Sequence, residues 1–154
     1  MADQMTERRT LDRDREQRVR QVFANQAFLC LLGVELREIA DGRVELALPF
    51  RPDLTQQIGY IHGGAVASLA DVAGGFAALT QFDAASEILT VEFKINLLAP
   101  SRGERLTAVG EVLKSGRTLT VCAISIFAWS NGASSLCASA QQTLIQIRSK
   151  ENGR

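Results

Sequence analysis

The stretch GGAVASLADVAGGFAALTQF, residues 63–82, decides the fold. Between 64 and 82, Ala65, Val66, Ala67, Leu69, Ala70, Val72, Ala73, Phe76, Ala77, Ala78 and Leu79 leave almost no polar face. A helix that is apolar all round is a buried helix. Its Ala and Gly residues let neighbouring elements approach closely on every side. At 1.5 Å per residue the helix would be about 28 Å long, enough to cross a small sheet.

Strand signals surround it. GRVELALPF (42–50) ends at Pro49, and EILTVEFKINLLAP (87–100) alternates Leu89, Val91, Phe93, Ile95 and Leu97 with Thr90, Glu92, Lys94 and Asn96. GERLTAVGEVLKSG (103–116), RTLTVCAISIFAWSNG (117–132) and ASSLCASAQQTLIQI (133–147) follow, with turn signals at Ser115-Gly116 and Asn131-Gly132. The expected fold class is α+β, an antiparallel sheet wrapped around one long central helix.

Before the strands lies a charged segment in which Asp14 and Arg18, and Glu16 and Arg20, stand acid-first at i,i+4. Apolar residues at 19, 22, 23 and 27 give it a docking stripe, and Asn25 is expected to cap a short second helix that Gly33 stops. One domain over 1–154 is expected, with a helical segment at 1–32 and a core at 33–147.

Composition excludes several classes. Lys plus Arg (17) equals Asp plus Glu (17), which gives no basic face for nucleic acid. His62 and Asp71 interrupt the longest apolar stretch, against a membrane span. The N-terminus is charged and carries no apolar leader run, so a cytoplasmic location is expected. Cys30, Cys122 and Cys137 show no CxxC spacing, and with a single His they make no metal set, so reduced packed thiols are expected.

The chemistry gathers at the start of the helix. Asp71 is its only ionisable group, and burying a lone carboxylate costs several kcal/mol unless it is paired or hydrogen-bonded. Either Asp71 accepts bonds from Ser68, Thr90 or backbone groups and pins the sheet, or it faces a cleft as a base or nucleophile. Gly63 and Gly64 begin the helix, where unpaired N–H groups can meet a ligand oxygen without side-chain obstruction. That suits an oxyanion hole, although a tight strand-to-helix turn would also require glycine. His62 is read as orienting the turn or the substrate carbonyl. No GxSxG elbow or Walker motif occurs, and ADVAGG lacks the preceding strand that a dinucleotide site needs.

QQIGYIHGGAVASLADVAGGFAAL, followed by LTVEFKINLLAPSRGERLTAVGEVLKSGRTLTV, resembles the hotdog-fold acyl-CoA thioesterases, with the nearest likeness to their PaaI-like, phenylacetate-degradation branch. The resemblance covers residues 28–147. It implies Asp71 as the catalytic carboxylate, Gly63 as an oxyanion donor and Thr90 steadying the attacking water. Gln56, six residues before His62, stands where related enzymes often carry Asn and would orient thioester or water. Gly64 would bind substrate. Arg102 and Arg117 are candidates for the coenzyme A phosphates, as are Arg105 and Lys114. The family implies no metal and no cofactor beyond the coenzyme A of the substrate, and the small Ala and Gly residues near Asp71 permit an aryl- or medium-chain acyl group without selecting one. The family also implies a homodimer, often paired into a homotetramer.

The dimer is reached independently. Gly63 and Asp71 lie about 12 Å apart along one helix, too far for one reacting carbonyl to touch both. Two antiparallel copies of the helix could place one copy's start beside the other's Asp71. Two other readings remain: a non-catalytic acyl-CoA-binding or sensing module, and a hydratase on the same fold. The hydratase would pair a catalytic His with an acid across the interface.

Overall fold

The computed structural model describes residues 10–148. The elements in chain order are α1 (Arg13–Ala24), α2 (Ala27–Leu32), β1 (Glu35–Ala40), β2 (Arg43–Pro49), α3 (Gly63–Leu79), β3 (Ser86–Leu97), β4 (Arg105–Ser115), β5 (Leu119–Ser130) and β6 (Ala133–Arg148). The six strands form one antiparallel sheet in the order β1-β2-β4-β5-β6-β3. Its concave face wraps α3, whose Val66, Leu69, Ala70, Ala73, Phe76 and Ala77 are buried. This is a hotdog fold.

Close approach makes the wrapping possible. A Cβ on Gly110 of β4 would lie 2.3 Å from the Ala73 carbonyl oxygen, so strand and helix backbones touch there. A Cβ on Gly74 would lie 1.9 Å from Gln142 Oε1 of β6. The helix ends at Leu79, short of the expected 82. The Thr80 hydroxyl turns back to the Ala77 carbonyl and accepts from Gly42 N–H. Arg15 then donates to the Thr80 carbonyl, and Arg18 to those of Phe82, Asp83 and Ser86. These cations suit the negative end of the helix dipole, and they dock α1.

Glu16 pairs with Arg20 at 2.7 Å, but Arg18 is taken up by those carbonyls rather than by Asp14. Asp12 caps α1. Asn25 closes α1 at its C-terminus, whereas Gln26 precedes α2 without a side-chain bond, so the expected cap role of Asn25 is corrected. Gly33 does end α2, with φ 74°. Asn131 (φ 53°) and Gly132 (φ 77°) form the hairpin turn their sequence signals. Residues 1–9 of the expected N-terminal helical segment fall outside the described residues.

The inner face of β3 differs from its sequence pattern. The register with β6 slips between Thr90 and Glu92, a bulge at Val91. Ser86, Ile88 and Thr90 share the helix-facing side before the bulge, paired with Arg148, Gln146 and Leu144. Phe93, Ile95 and Leu97 share it afterwards, paired with Gln142, Ala140 and Ala138. By this register Leu89, read as inward, falls on the opposite side, and Val91 is the bulged residue. The extra residue reverses the phase of the strand and turns Thr90 toward α3.

Candidate active site

The loop before α3 is fastened from several sides. His62 N–H donates to the Leu54 carbonyl at 2.8 Å, Ile61 N–H to Ser101 at 2.9 Å and Gln56 N–H to Tyr60 at 2.8 Å. Arg51 holds the loop's beginning by bonding both oxygens of Asp53 and the Leu31 carbonyl. The Arg51 hydrogen bonds hold the Asp53 carboxyl below its usual range.

His62 is the N-cap of α3, and its Nδ1 accepts from Gly64 N–H at 2.9 Å. The neutral ring therefore carries its proton on Nε2. The His62 carbonyl takes the N–H groups of Ala65 (2.9 Å) and Val66 (3.1 Å). Only Gly63 N–H in this first turn lacks an acceptor among the described residues. Gly64 thus has no spare backbone donor for a substrate. The Gln56 side-chain oxygen accepts from Ile58 N–H at 2.6 Å, which leaves its NH2 open.

Asp71 is half-buried in the middle of α3. Its Oδ1 accepts from the Thr90 hydroxyl at 2.7 Å and from Gln142 Nε2 at 2.6 Å. Its Oδ2 meets no donor among the described residues. Ser68 instead bonds the Gly64 carbonyl. Gln142 Nε2 also reaches the Asp71 carbonyl at 3.1 Å and Thr90 Oγ1 at 2.9 Å. With its proton on Asp71, Thr90 presents a lone pair to any further donor.

Gln142 was not singled out from sequence. The sequence places a glutamine on either face of β6, at 141 and 142, and only the register with β3 and β5 shows that Gln142 shares the inward side with Ala138, Ala140 and Leu144.

Beside Asp71 opens a cavity of about 160 Å³. Val22, Val72, Phe76, Leu79, Ile88 and Leu144 give it apolar walls; Gln26, Glu87 and Thr90 are its other polar lining groups. Val22 of α1 and Gln26 at the start of α2 come from the N-terminal segment, which completes this chamber.

The basic candidates separate. Arg102 follows Ser101, whose carbonyl holds Ile61 in the glycine loop. Arg117 lies in the β4–β5 turn, toward the end of the sheet where Val112 and Gly42 meet the close of α3. Arg105 stacks over Trp129, 4.4 Å from the ring centre. The two buried thiols are no nucleophiles: burial pushes Cys122 up to about 12 and raises Cys137 as well. Among the described residues no group of three His, Cys, Asp or Glu side chains gathers to hold a metal. No helix there is long and apolar enough to cross a membrane.

What this arrangement can do is proton abstraction or nucleophilic attack by the Asp71 carboxylate at a chamber with apolar walls. Comparison with known proteins agrees with such chemistry. The Thioesterase superfamily model matches residues 58–133. A thioesterase family protein from Silicibacter pomeroyi superposes with a TM-score of 0.86 at 39% identity, covering 88% of this chain and 99% of that one. The medium/long-chain acyl-CoA thioesterase YigI of Escherichia coli K12 is 30% identical over 112 residues, 62% of this chain and 71% of that protein. The fold is shared by the Escherichia coli PaaI protein of the phenylacetic acid degradation operon, with a TM-score of 0.80 at 22% identity over 90% of this chain and 96% of that one.

Proposed function

We propose that this chain, which belongs to the thioesterase superfamily, hydrolyses the thioester bond of aryl- or medium-chain acyl-CoA to the free acid and coenzyme A. The observation that carries the reading is Asp71: Thr90 and Gln142 both bond Oδ1, Oδ2 meets no donor among the described residues, and this carboxylate lines a chamber with apolar walls. Held this way, Asp71 takes a proton from water, or attacks the acyl carbon itself, through Oδ2. A water on this path can donate to Thr90 Oγ1 as it approaches. Gly63 N–H, free at the positive end of α3, receives the carbonyl oxygen as charge develops there. His62 holds that turn through its Nδ1 cap, and the open NH2 of Gln56 orients thioester or water.

The chamber supports the acyl class. A dry cavity of about 150 Å³ lined by Leu, Ile and Phe is enough to bind benzene. The 160 Å³ here suits one aromatic ring or a short run of methylenes. A place in the PaaI-like branch fits this size. Arg102, beside the glycine loop, is the better placed of the two basic residues for coenzyme A phosphate within one chain. Gly64 acts through its small size rather than its N–H, and Arg117 would need a partner chain to reach a neighbouring site. Hydrolysis requires no cofactor beyond the coenzyme A of the substrate. The unpaired thiols support a reducing, cytoplasmic setting.

Gly63 and Asp71 of one chain cannot serve one carbonyl, so the working unit is a homodimer, with a homotetramer beyond it. β3 supports this, because it is an edge strand of twelve residues with Leu89 and Val91 largely uncovered. A mixed dimer tests the sharing. With Asp71→Asn on one chain and Gln56→Ala on the other, one site is fully wild type and the other carries both lesions. Random re-pairing of two dead parents then restores about a quarter of wild-type activity. No recovery despite confirmed subunit exchange refutes the shared site. The activity itself is tested by thiol release from a panel of acyl-CoAs. Tight binding without turnover of any member would favour a sensing module.

A further inference from the structure

We propose that Gln142 is a positioning residue that fixes the reacting carboxylate; this rests on the reading of Asp71 as the group that performs hydrolysis. Gln142 is fully buried, and its amide nitrogen sits 2.6 Å from Asp71 Oδ1, 2.9 Å from Thr90 Oγ1 and 3.1 Å from the Asp71 carbonyl. Two N–H groups thus serve three acceptors belonging to two residues. Those acceptors also fix which way the amide points, since reversal would set Oε1 against the Asp71 carboxylate and carbonyl. The orientation leaves Oε1 buried with no hydrogen-bond partner among the described residues. It rests where only a glycine at position 74 leaves room, because a Cβ there would approach within 1.9 Å. The nearby Cys122 thiol donates to the Gly74 carbonyl instead.

An inward glutamine chosen only to tie β6 to α3 would satisfy both ends of its amide. This one leaves its acceptor orphaned while its donor end is saturated. The strained half is what a residue tolerates when its other half has a task. That task is geometric: Gln142 and Thr90 together claim Oδ1 of a carboxylate that lines the chamber, which leaves Oδ2 as the oxygen available to react. Gln142 need not touch the substrate to do this.

Gln142→Met keeps the volume and removes both the donor and the orphan acceptor. The expected result is a kcat lower by about 10- to 100-fold, in line with misplacement of a reacting group, at an unchanged KM. The melting temperature stays level or rises. A structural pin gives the opposite pair, a lower melting temperature with kcat per folded molecule retained, and that result overturns the proposal. Should the Met variant fail to fold, Gly74→Ala retains the amide but displaces it; this crowded variant melts lower in either case, so it is read by kcat per folded molecule alone, where a drop is expected and retained kcat overturns the proposal. An independent readout is the side-chain carboxyl ¹³C resonance of Asp71. It moves in Gln142→Met if the amide holds the carboxylate; an unmoved resonance refutes the proposal. Wild-type protein that turns over no acyl-CoA refutes the thioesterase reading alone, because the resonance still decides the role of Gln142.

Discussion

Replacing Asp71 by Asn and by Ala separates its chemistry from its hydrogen bonds. Asn can present its amide oxygen at the Oδ1 position, where the Thr90 hydroxyl (2.7 Å) and Gln142 Nε2 (2.6 Å) still find an acceptor. Its NH2 then takes the place of Oδ2, which has no protein partner to lose. The stability change is therefore expected within about 0.5 kcal/mol, as for a change that orphans nothing. Ala removes the acceptor. Gln142 retains the Asp71-position carbonyl and Thr90 Oγ1, so it is not orphaned, while exposed Thr90 can turn to water. The loss is then one typical hydrogen bond, about 1 kcal/mol. For a chain of this size that lowers the melting temperature by roughly 2–4 °C. Both variants lose the base or nucleophile, and kcat should drop by about 10³-fold or more, because a general base alone contributes on the order of 10²–10⁴. Thiol release from acyl-CoA reads the activity and thermal unfolding reads the stability. An Asn variant within tenfold of wild-type turnover, or one melting 5 °C lower, would refute the reasoning, since it would make Asp71 a structural pin.

Gly110→Ala should be poorly tolerated. Its Cβ would meet backbone atoms of Ala73 at 2.3 and 2.5 Å, so β4 must move off the helix; chemical denaturation should show a loss of about 1–3 kcal/mol, as overpacking gives. A thiol reagent at pH 8 should titrate exposed Cys30 quickly in the native protein and reach Cys122 and Cys137 only after denaturation, because both are buried and burial raises both thiols. Loss of the Nδ1 cap in His62→Ala should cost about 1 kcal/mol, whereas His62→Asn, which can accept the same Gly64 N–H, should recover most of it in thermal unfolding.

Much of this was legible because it depends on one pattern, hydrophobicity with few polar interruptions. The central helix, the strand beginning at Arg43 and the long strands after it all carry that pattern, and the HGG turn with Asp71 marks the site. β1 was passed over because Glu35, Arg37 and Glu38 on an edge strand look like a solvated loop, and only pairing with β2 shows otherwise. Asn25 was misassigned because Asn suits either side of a helix boundary. The phase of β3 could not be read, since a bulge inserts one residue without any composition signal at Val91. Gln142 was overlooked for a related reason: β6 is long, and which of its two faces is inward depends on the register, not on the residue.

The four glycines of α3 are not equivalent, and Gly75 isolates the one whose absence of a side chain serves the chamber. Gly63 opens the helix and offers a free N–H, Gly64 fits beneath the His62 ring, and Gly74 leaves room for Gln142. A Cβ at Gly75 would meet only Ile88 Cδ1, at 3.9 Å, an ordinary contact. The position is mid-helix, where Gly is less favourable than Ala by about 1 kcal/mol. Gly75→Ala should therefore stabilise the protein, raising its melting temperature by roughly 2–4 °C for a chain of this length. The new methyl also enters the wall of the 160 Å³ cavity beside Asp71. Turnover should shift toward smaller acyl groups, with kcat/KM for the bulkiest good substrate falling by about 10-fold, the discrimination typical of one methyl group in an apolar pocket. A gain in stability with an unchanged acyl profile would mean that the acyl chain lies elsewhere. A loss of stability would mean that the helix needs Gly75 for a contact other than the one to Ile88.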